Sequence, residues 1–500
     1  MNLQKIIFEA APQAYYVGGV LRDAFLKRYC ADIDLALPRA AVKPAALKLA
    51  KTLKAAAFEM DAAFCVWRIT CKDGLQIDLT ALVGKDIKED LRRRDFTINA
   101  LALPVSALPI IRMKRIGKKT LVLLTALKRG EVIDLNGGVS DIKAKTIKAN
   151  NSRVFEEDPL RLLRAYRAAA ELKFKIAPAT LALIKKYARL AVKPAGERTQ
   201  EELKRILNCP SAKDNLLAMD KTGLLSAIFP FLEAQKGCAK VYYGRGGVFT
   251  HTLDVVDRAE FLLSNLKTAF PKLHKKLAPY AQDMALYKMA AILHDIAKPA
   301  TAKEIDGRLR FFHHEEKGAV MAQGILKNLK YSAAETKLIC KMIEFHLRPS
   351  NLASNEIITD RAVYKFFKEL GEAAVPMLLL CWADYTSYIM YPLVRRLIKK
   401  SAAPVITIEE GKTKGALGKT LRHMQLVNFL LDKYFNHAKK LVAPRKLIDG
   451  RDIMKTLQIQ PGPKVGEILE ALIIAQVEGK VSSKEEALAW LLANKAALIK

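Results

Sequence analysis

Apolar and polar residues change their spacing several times along this chain, and each change marks an element. Tyr15 to Val17 is a short aromatic and apolar run that ends in Gly18-Gly19, which predicts a strand running into a tight bend. Arg22 and Asp23 open a segment of helical spacing, and Ala31 to Leu37 alternates as a second strand. Ala41 to Ala57, rich in Ala, Leu and Lys, predicts an amphipathic helix. Cys65 to Thr70 and Gly74 to Leu79 predict two more strands joined by the turn Lys72-Asp73-Gly74. From Phe155 the period becomes helical: Pro159 suits a first helical turn, with Asp158 before it as N-cap. Thr180 to Leu207 continues as helix, broken near Pro194 and Gly196. The glycines between Gly237 and Gly247 mark a boundary, after which helical patterns dominate. Past Lys399-Lys400 the sequence turns to Ser, Ala and Pro and then to Lys-rich sequence without strong periodicity. Leu447 to Leu492 predicts two helices parted by Pro461-Gly462-Pro463.

Chemistry concentrates where these elements meet. Two adjacent glycines let a backbone approach a ligand and expose N–H groups to it, which suits a polyphosphate. Asp32 and Asp34 lie two apart on one strand, so their carboxylates share a face. Side by side they repel unless a hard cation such as Mg²⁺ lies between them. Asp78, at the end of the later strand, is the candidate third carboxylate.

Strand, Gly-Gly bend, helix and Asp-x-Asp strand together resemble the nucleotidyltransferase head of the DNA polymerase β superfamily. RRDFTINA, Arg93 to Ala100, matches a block of the class II tRNA nucleotidyltransferases and bacterial poly(A) polymerases nearly letter for letter. VIDLNGGVSD, 132–141, resembles the next motif of that family, with Asn136 where an aromatic residue is usual and Asp134 carried over. Glu157, Asp158 and Arg161 resemble its EDxxR motif, and Arg164 follows on the same flank of the helix, about 60° round from Arg161. GERTQEELKRIL, 196–207, resembles the neck helix that follows.

The resemblance implies catalysis by Asp32, Asp34 and Asp78 with Mg²⁺ on the first two. It implies nucleotide binding by Gly18, Gly19, Arg22, Asp23, Arg94, Asp95, Asn99, Glu157, Asp158, Arg161 and Arg164. In the family, the Asp and Arg of EDxxR pair with the Watson–Crick edge of the incoming base. A carboxylate accepts from the amino group common to cytosine and adenine while a guanidinium donates to the neighbouring ring acceptor. Guanine and uracil present the wrong pattern.

A different chemistry begins at His251. With His294, Asp295, His314, His346 and Asp384 it provides six ligand-type side chains in helical sequence, a set that borderline and hard metals favour. The region resembles an HD phosphohydrolase, which implies a divalent transition metal (Ni, Mn, Co or Fe) and metal-activated water attacking a phosphate ester, on cyclic or terminal phosphates of RNA ends. His313 and Ala297 stand where this pattern usually has other residues, and neither is assigned a role. The last segment, through GRD, QPGP and VGEIL, resembles the family's tRNA-gripping tail, and Arg445, Lys446, Arg451, Lys455 and Lys464 favour RNA there.

Composition narrows the partners. A formal charge of +32 over 500 residues repels itself unless something anionic covers it, and nucleic acid is the default. A hydrophobic content of 51% supports a globular protein over a disordered one. No apolar run reaches the ~20 residues that span a bilayer, so no membrane partner is expected. The start of the chain lacks a secretory pattern, and seven cysteines fall singly with no CxxC. Both point to reduced thiols and a cytoplasmic protein.

The expectation is an α+β chain: a polymerase β-like head with a mixed sheet and helices over 1–150, then all-α domains. These are a neck for nucleobase selection and RNA binding over 151–236, an HD domain over 237–398 and a tRNA-binding tail over 399–500. Residues 104–129, with RMKRIGKK, are expected as a basic insertion touching RNA. Only ten residues, 79–88, separate Asp78 from Glu89, and the usual Arg-x-Glu-x-Tyr signature is missing there. In the family, loss of this loop accompanies enzymes that add only two cytidines to tRNA. The expected activity is therefore Mg²⁺-dependent addition of C, with or without A, from CTP and ATP to the tRNA 3′ end. A poly(A) polymerase, or an RNA-binding HD phosphohydrolase with an inactive head, stands as the alternative.

Overall fold

The computed structural model describes residues 2–127, 129–353, 358–401 and 415–499. The chain forms two compact units. One comprises Met1–Ile206 with Leu217–Ile228, the other Leu207–Leu216 with Phe229–Lys500.

The first unit is built on a seven-stranded mixed sheet. Its strands are β1 (Tyr15–Val17), β2 (Asp32–Leu37), β3 (Ala56–Asp61), β4 (Val66–Thr70), β5 (Gln76–Ala81), β6 (Leu101–Pro104) and, beyond a hairpin, β9 (Ile133–Asp134), in the order β3-β4-β5-β2-β1-β6-β9. The hairpin is β7 (Ile110–Ile116) and β8 (Lys119–Thr125). β2 and β5 run parallel in a register that sets Asp34 opposite Asp78. Alternation buries Ile33, Leu35, Ile77 and Leu79 on one face and leaves the aspartates on the other. Burial of the apolar face thus fixes which way the carboxylates point.

Two elements depart from the sequence reading. The helix expected over 41–57 spans Arg39–Leu53, stops where Lys54 takes a left-handed conformation, and gives way to β3. All of β3 except Ala57 is exposed, so it carries no apolar alternation, and its strand state comes from backbone pairing with β4. The basic insertion is the β7–β8 hairpin, anchored because β8 buries Val122, Leu123 and Leu124.

The neck helix Arg161–Leu172 starts two residues later than Pro159 suggests, and the Asp158 carboxylate accepts from the N–H of Leu160. The second unit is helical. The apolar helix Ala374–Ser387 is buried along residues 374–386 and packs against Gly247–Ser264. A 21-residue helix, Ala416–Asn436, follows where the sequence has no strong periodicity. Residues 402–414, in the Ser/Ala/Pro and Lys-rich stretch, lie outside the described residues. The tail helices Gly450–Leu457 and Pro463–Val477, parted by the Pro-Gly-Pro break, share a core of Ile453, Leu457, Ile468 and Leu472.

Candidate functional site

At the end of β1 the backbone turns through Gly18 with φ +71°, a conformation that L side chains rarely adopt. A Cβ there would also sit 3.3 Å from Arg94 Nη1 and 3.4 Å from Asp34 Oδ2. The glycine therefore brings bare backbone up to the acidic strand. A cavity of about 400 Å³ opens in front of it, lined by Gly18, Gly19, Arg22, Asp32, Asp34, Arg94, Asp95, Asn99, Arg161, Arg164, Arg167 and Arg205.

A hydrogen-bonded chain holds its walls. Arg22 reaches the Asp23 carboxylate at 2.8 Å and donates to Asn99 Oδ1 at 2.9 Å. Asn99 Nδ2 donates to Asp95 Oδ1 at 3.1 Å, and Arg164 pairs with Asp95 Oδ2 at 2.8 Å. Burial raises the cost of ionising Asp95, but Arg164, Asn99 and the Phe96 N–H outweigh it and hold its carboxyl below the usual range. Arg94 is steadied by Asp90 at 2.9 Å.

The carboxylates of Asp32, Asp34 and Asp78 place ligand atoms within 4.8 Å of one another. Burial, with Asp32 and Asp78 adding repulsion, pushes Asp34 up to about 7. Burial and Asp78 likewise raise Asp32. Asp32 and Asp34, held close to a third carboxylate at Asp78, are the donor set whose repulsion a hard divalent cation relieves, so these residues fit one.

Ten of the expected residues line the cavity: Gly18, Gly19, Arg22, Asp32, Asp34, Arg94, Asp95, Asn99, Arg161 and Arg164. Four do not. Asp23 backs Arg22, and Asp78 is engaged by Arg68 at 2.8 and 2.6 Å although it belongs to the acidic group. Glu157 faces Arg161 at 3.5 Å, and Asp158 pairs with Arg198 at 3.1 Å. Asp134 accepts from the N–H groups of Gly138 and Val139 and shapes that turn.

Three arginines escaped the sequence reading. Arg167 repeats the three-residue spacing of Arg161 and Arg164, which was the available signal, and it faces Glu202 at 2.9 Å. Arg205 lines the cavity from the helix Gly196–Asn208, and Arg68 carried no motif.

In the second unit all six ligand-type residues converge. His251, His294 and Asp384 form one group and Asp295, His314 and His346 another, each with ligand atoms within 4.8 Å, and all are buried. Each imidazole turns Nδ1 to a fixed partner: Ala291 O (2.8 Å) for His294, Phe311 O (2.6 Å) for His314, Ile343 O (2.6 Å) for His346 and Ser387 Oγ (3.2 Å) for His251. Their Nε2 atoms aim inward. Nε2 of His251, His294 and His314, and Oδ1 of Asp295 and Asp384, are buried without a hydrogen-bond partner among the described residues. Orphaned acceptors around one centre, each imidazole oriented from behind, are the arrangement a divalent metal completes.

Burial opposes charge on Asp295, yet His294, Lys298 and His251 hold its carboxyl well below the usual range. Burial, reinforced by His294, lowers His346 to about 3. Lys298, which no motif flagged, bridges Asp295 and the Tyr243 hydroxyl, the latter at 2.7 Å. His313 is the exposed residue before the helix His314–Asn328, with no ligand role.

Four family models match successive parts of the chain. The Poly A polymerase head domain family matches residues 68–148, the RNA and SrmB-binding site of polymerase A matches 173–236, the HD domain matches 248–389, and tRNA nucleotidyltransferase domain 2 matches 431–491. The A-adding tRNA nucleotidyltransferase of Deinococcus radiodurans is 30% identical over 488 residues, covering 96% of this chain and 95% of that protein. This chain belongs to the class II CCA-adding family of tRNA nucleotidyltransferases. The CC-adding tRNA nucleotidyltransferase of Synechocystis is 27% identical over 500 residues, covering 97% of this chain and 95% of its own length. A crystal structure of the Bacillus stearothermophilus CCA-adding enzyme in complex with CTP shares the fold, with a TM-score of 0.59 at 19% identity over 99% of this chain and 97% of that one. The family supplies the polymerase β-like head and the HD domain expected from the motifs.

Proposed function

We propose that this nucleotidyltransferase adds cytidines from CTP to the 3′ end of tRNA without a nucleic-acid template. The observation that carries the reading is the cavity in which Gly18, the Asp32–Asp34–Asp78 group and the neck arginines meet. Asp32 and Asp34 would hold Mg²⁺, which when bound supplies Lewis-acid stabilisation of charge on the attacking and leaving oxygens. The protein's own work is placement. Backbone N–H groups at Gly18 and Gly19, with Arg22 and Arg94, hold the triphosphate against the acidic strand. Asp95, locked by Arg164 and Asn99, fixes the wall behind the sugar. Asp158 and Arg161 read the base edge after exchanging Arg198 and Glu157 for the nucleobase. Little covalent chemistry is asked of these side chains, and orientation with charge neutralisation supplies the rate.

The CC-only product is favoured by the short connection: β5 ends at Ala81 and the next helix begins at Ile87. A second reading, addition of the terminal A, is favoured by the A-adding relative at 30% identity. In both readings residues 1–150, 151–236 and 399–500 serve as head, neck and tail for tRNA. The HD domain over 237–398 acts separately as a metal-dependent phosphoesterase on RNA ends.

The purified chain should be assayed on tRNA ending at its discriminator base with CTP alone and with CTP plus ATP, and on tRNA ending in CC with ATP. Addition that stops after two cytidines supports the first reading, and A added only to the CC end supports the second. Asp32→Ala should abolish incorporation and spare phosphoester hydrolysis, whereas His294→Ala should do the reverse. Long adenosine tails on unstructured RNA would displace both readings.

A further inference from the structure

The basic insertion is unused by the mechanism, yet the fold spends a rigid element on it. β7 and β8 pair along their whole length, from Ile110 opposite Thr125 to Ile116 opposite Lys119. The inner strand is fixed. Val122 and Leu124 are buried, Thr120 Oγ1 donates to Asp73 O at 3.0 Å, and Val122 exchanges both backbone hydrogen bonds with Cys30 at 2.8 Å. Cys30 stands two residues before Asp32, so the hairpin is tied to the start of the catalytic strand.

The outer strand and the bend are the opposite in character. Residues 112–119 are all exposed and include Arg112, Lys114, Arg115, Lys118 and Lys119 with no acidic residue among them. Among the described residues none of these five cations has a carboxylate partner, although Arg and Lys elsewhere on the chain pair repeatedly with Asp and Glu. Cations on an exposed edge strand also keep it from pairing with another chain. Five on eight consecutive residues, held on a stiff two-stranded arm, build a surface for a polyanion.

We propose that the β7–β8 hairpin is a tRNA-contacting arm that binds the sugar-phosphate backbone through Arg112, Lys114, Arg115, Lys118 and Lys119. The contact carries no sequence information and sets the register of the acceptor end relative to β2. It rests on the reading of the chain as a tRNA enzyme, and the experiment separates the two.

The full-length chain and a variant with Arg112→Gln, Lys114→Gln, Arg115→Gln, Lys118→Gln and Lys119→Gln are titrated with tRNA lacking its CCA end, by fluorescence anisotropy across a salt series. The variant should bind about 10-fold or more weakly at ~100 mM salt, and its log Kd against log salt should flatten by about 0.7–0.9 for each phosphate that it no longer neutralises. CTP binding, measured by calorimetry, should be unchanged. An equal Kd and equal slope would overturn the proposal and leave the charges as edge protection alone. If the variant also loses CTP binding, amine acetylation of the unaltered protein decides. Protection of Lys114, Lys118 and Lys119 by tRNA but not by CTP supports the arm, and unprotected lysines refute it. Failure of the unaltered chain to bind tRNA at all would instead remove the parent reading, and the arm with it.

Discussion

Asp34 carries a strong electrostatic signature among the carboxylates of the head. Burial and the neighbouring Asp32 and Asp78 raise it to about 7, while Arg94 and Arg22 pull the other way. An unfolded aspartate titrates near ~3.9, so the folded chain holds this proton across a window where the unfolded chain has released it. The group's contribution to stability is therefore complete below about pH 4 and is lost as pH rises through about 7. In chelator, the melting temperature of the metal-free head should fall between pH 5 and 8 more steeply in the native chain than in Asp34→Asn. Added Mg²⁺ should recover it at pH 8, and the same substitution should abolish nucleotide incorporation. Equal slopes in thermal-shift scans of the two proteins would contradict this electrostatic account. At this scale the sequence was informative where a motif named the residue, as for Asp32, Asp34 and Arg94. It was silent for Arg68 and Lys298, which act through a cross-strand and a one-turn contact that spacing alone does not distinguish from surface charge.

Among the elements, the helix Arg161–Leu172 brings Arg161 and Arg164 to the cavity beside the Asp95–Asn99 block. Arg164 is its tie, paired with the buried Asp95 at 2.8 Å. Arg164→Met would leave Asp95 buried without its main counter-charge and should cost about 2 kcal/mol, read as a lowered urea midpoint. It should also raise KM for CTP at least ~10-fold, with Arg164→Lys intermediate because a single ammonium cannot reproduce the fork. Gly138 offers a second check on the same block. A Cβ there would meet the Thr97 carbonyl oxygen at 2.2 Å, so Gly138→Ala should displace the turn at Thr97–Asn99. KM for the nucleotide would rise while the HD activity is untouched, as parallel assays would reveal. Elements with a buried face were legible, as β2 and β5 illustrate. β3 was not, because exposed pairing leaves no alternation. The helix Ala416–Asn436 was not, because the apolar Leu421 and Phe429 lie off the single broad face that Thr420, Met424, Leu426, Val427, Leu430 and Leu431 bury, and they blur its period.

For the whole molecule, the excess of 83 Lys and Arg over 51 Asp and Glu predicts that binding of tRNA weakens steeply with salt. Raising NaCl from ~50 to ~200 mM should cost on the order of 10³ in affinity if six or more phosphates are neutralised. Affinity for CTP, a far smaller polyanion, should change far less. Filter binding and calorimetry across the same salt series test the pair. No helix among the described residues is long and apolar enough to cross a membrane.

The parallel pairing of β2 with β5 has a consequence for how this head can vary. Side chains alternate along each strand, so one extra residue placed in β5 ahead of Asp78 would rotate that carboxylate into the layer occupied by Ile33 and Leu35 and bring an aliphatic group out in its place. An insertion is ruinous within β5 but not in the exposed turn at 62–65, between β3 and β4, where a lineage could add residues at the cost of the two Arg39 hydrogen bonds to the carbonyls of Ala62 and Ala63 while β5 keeps its length to the residue.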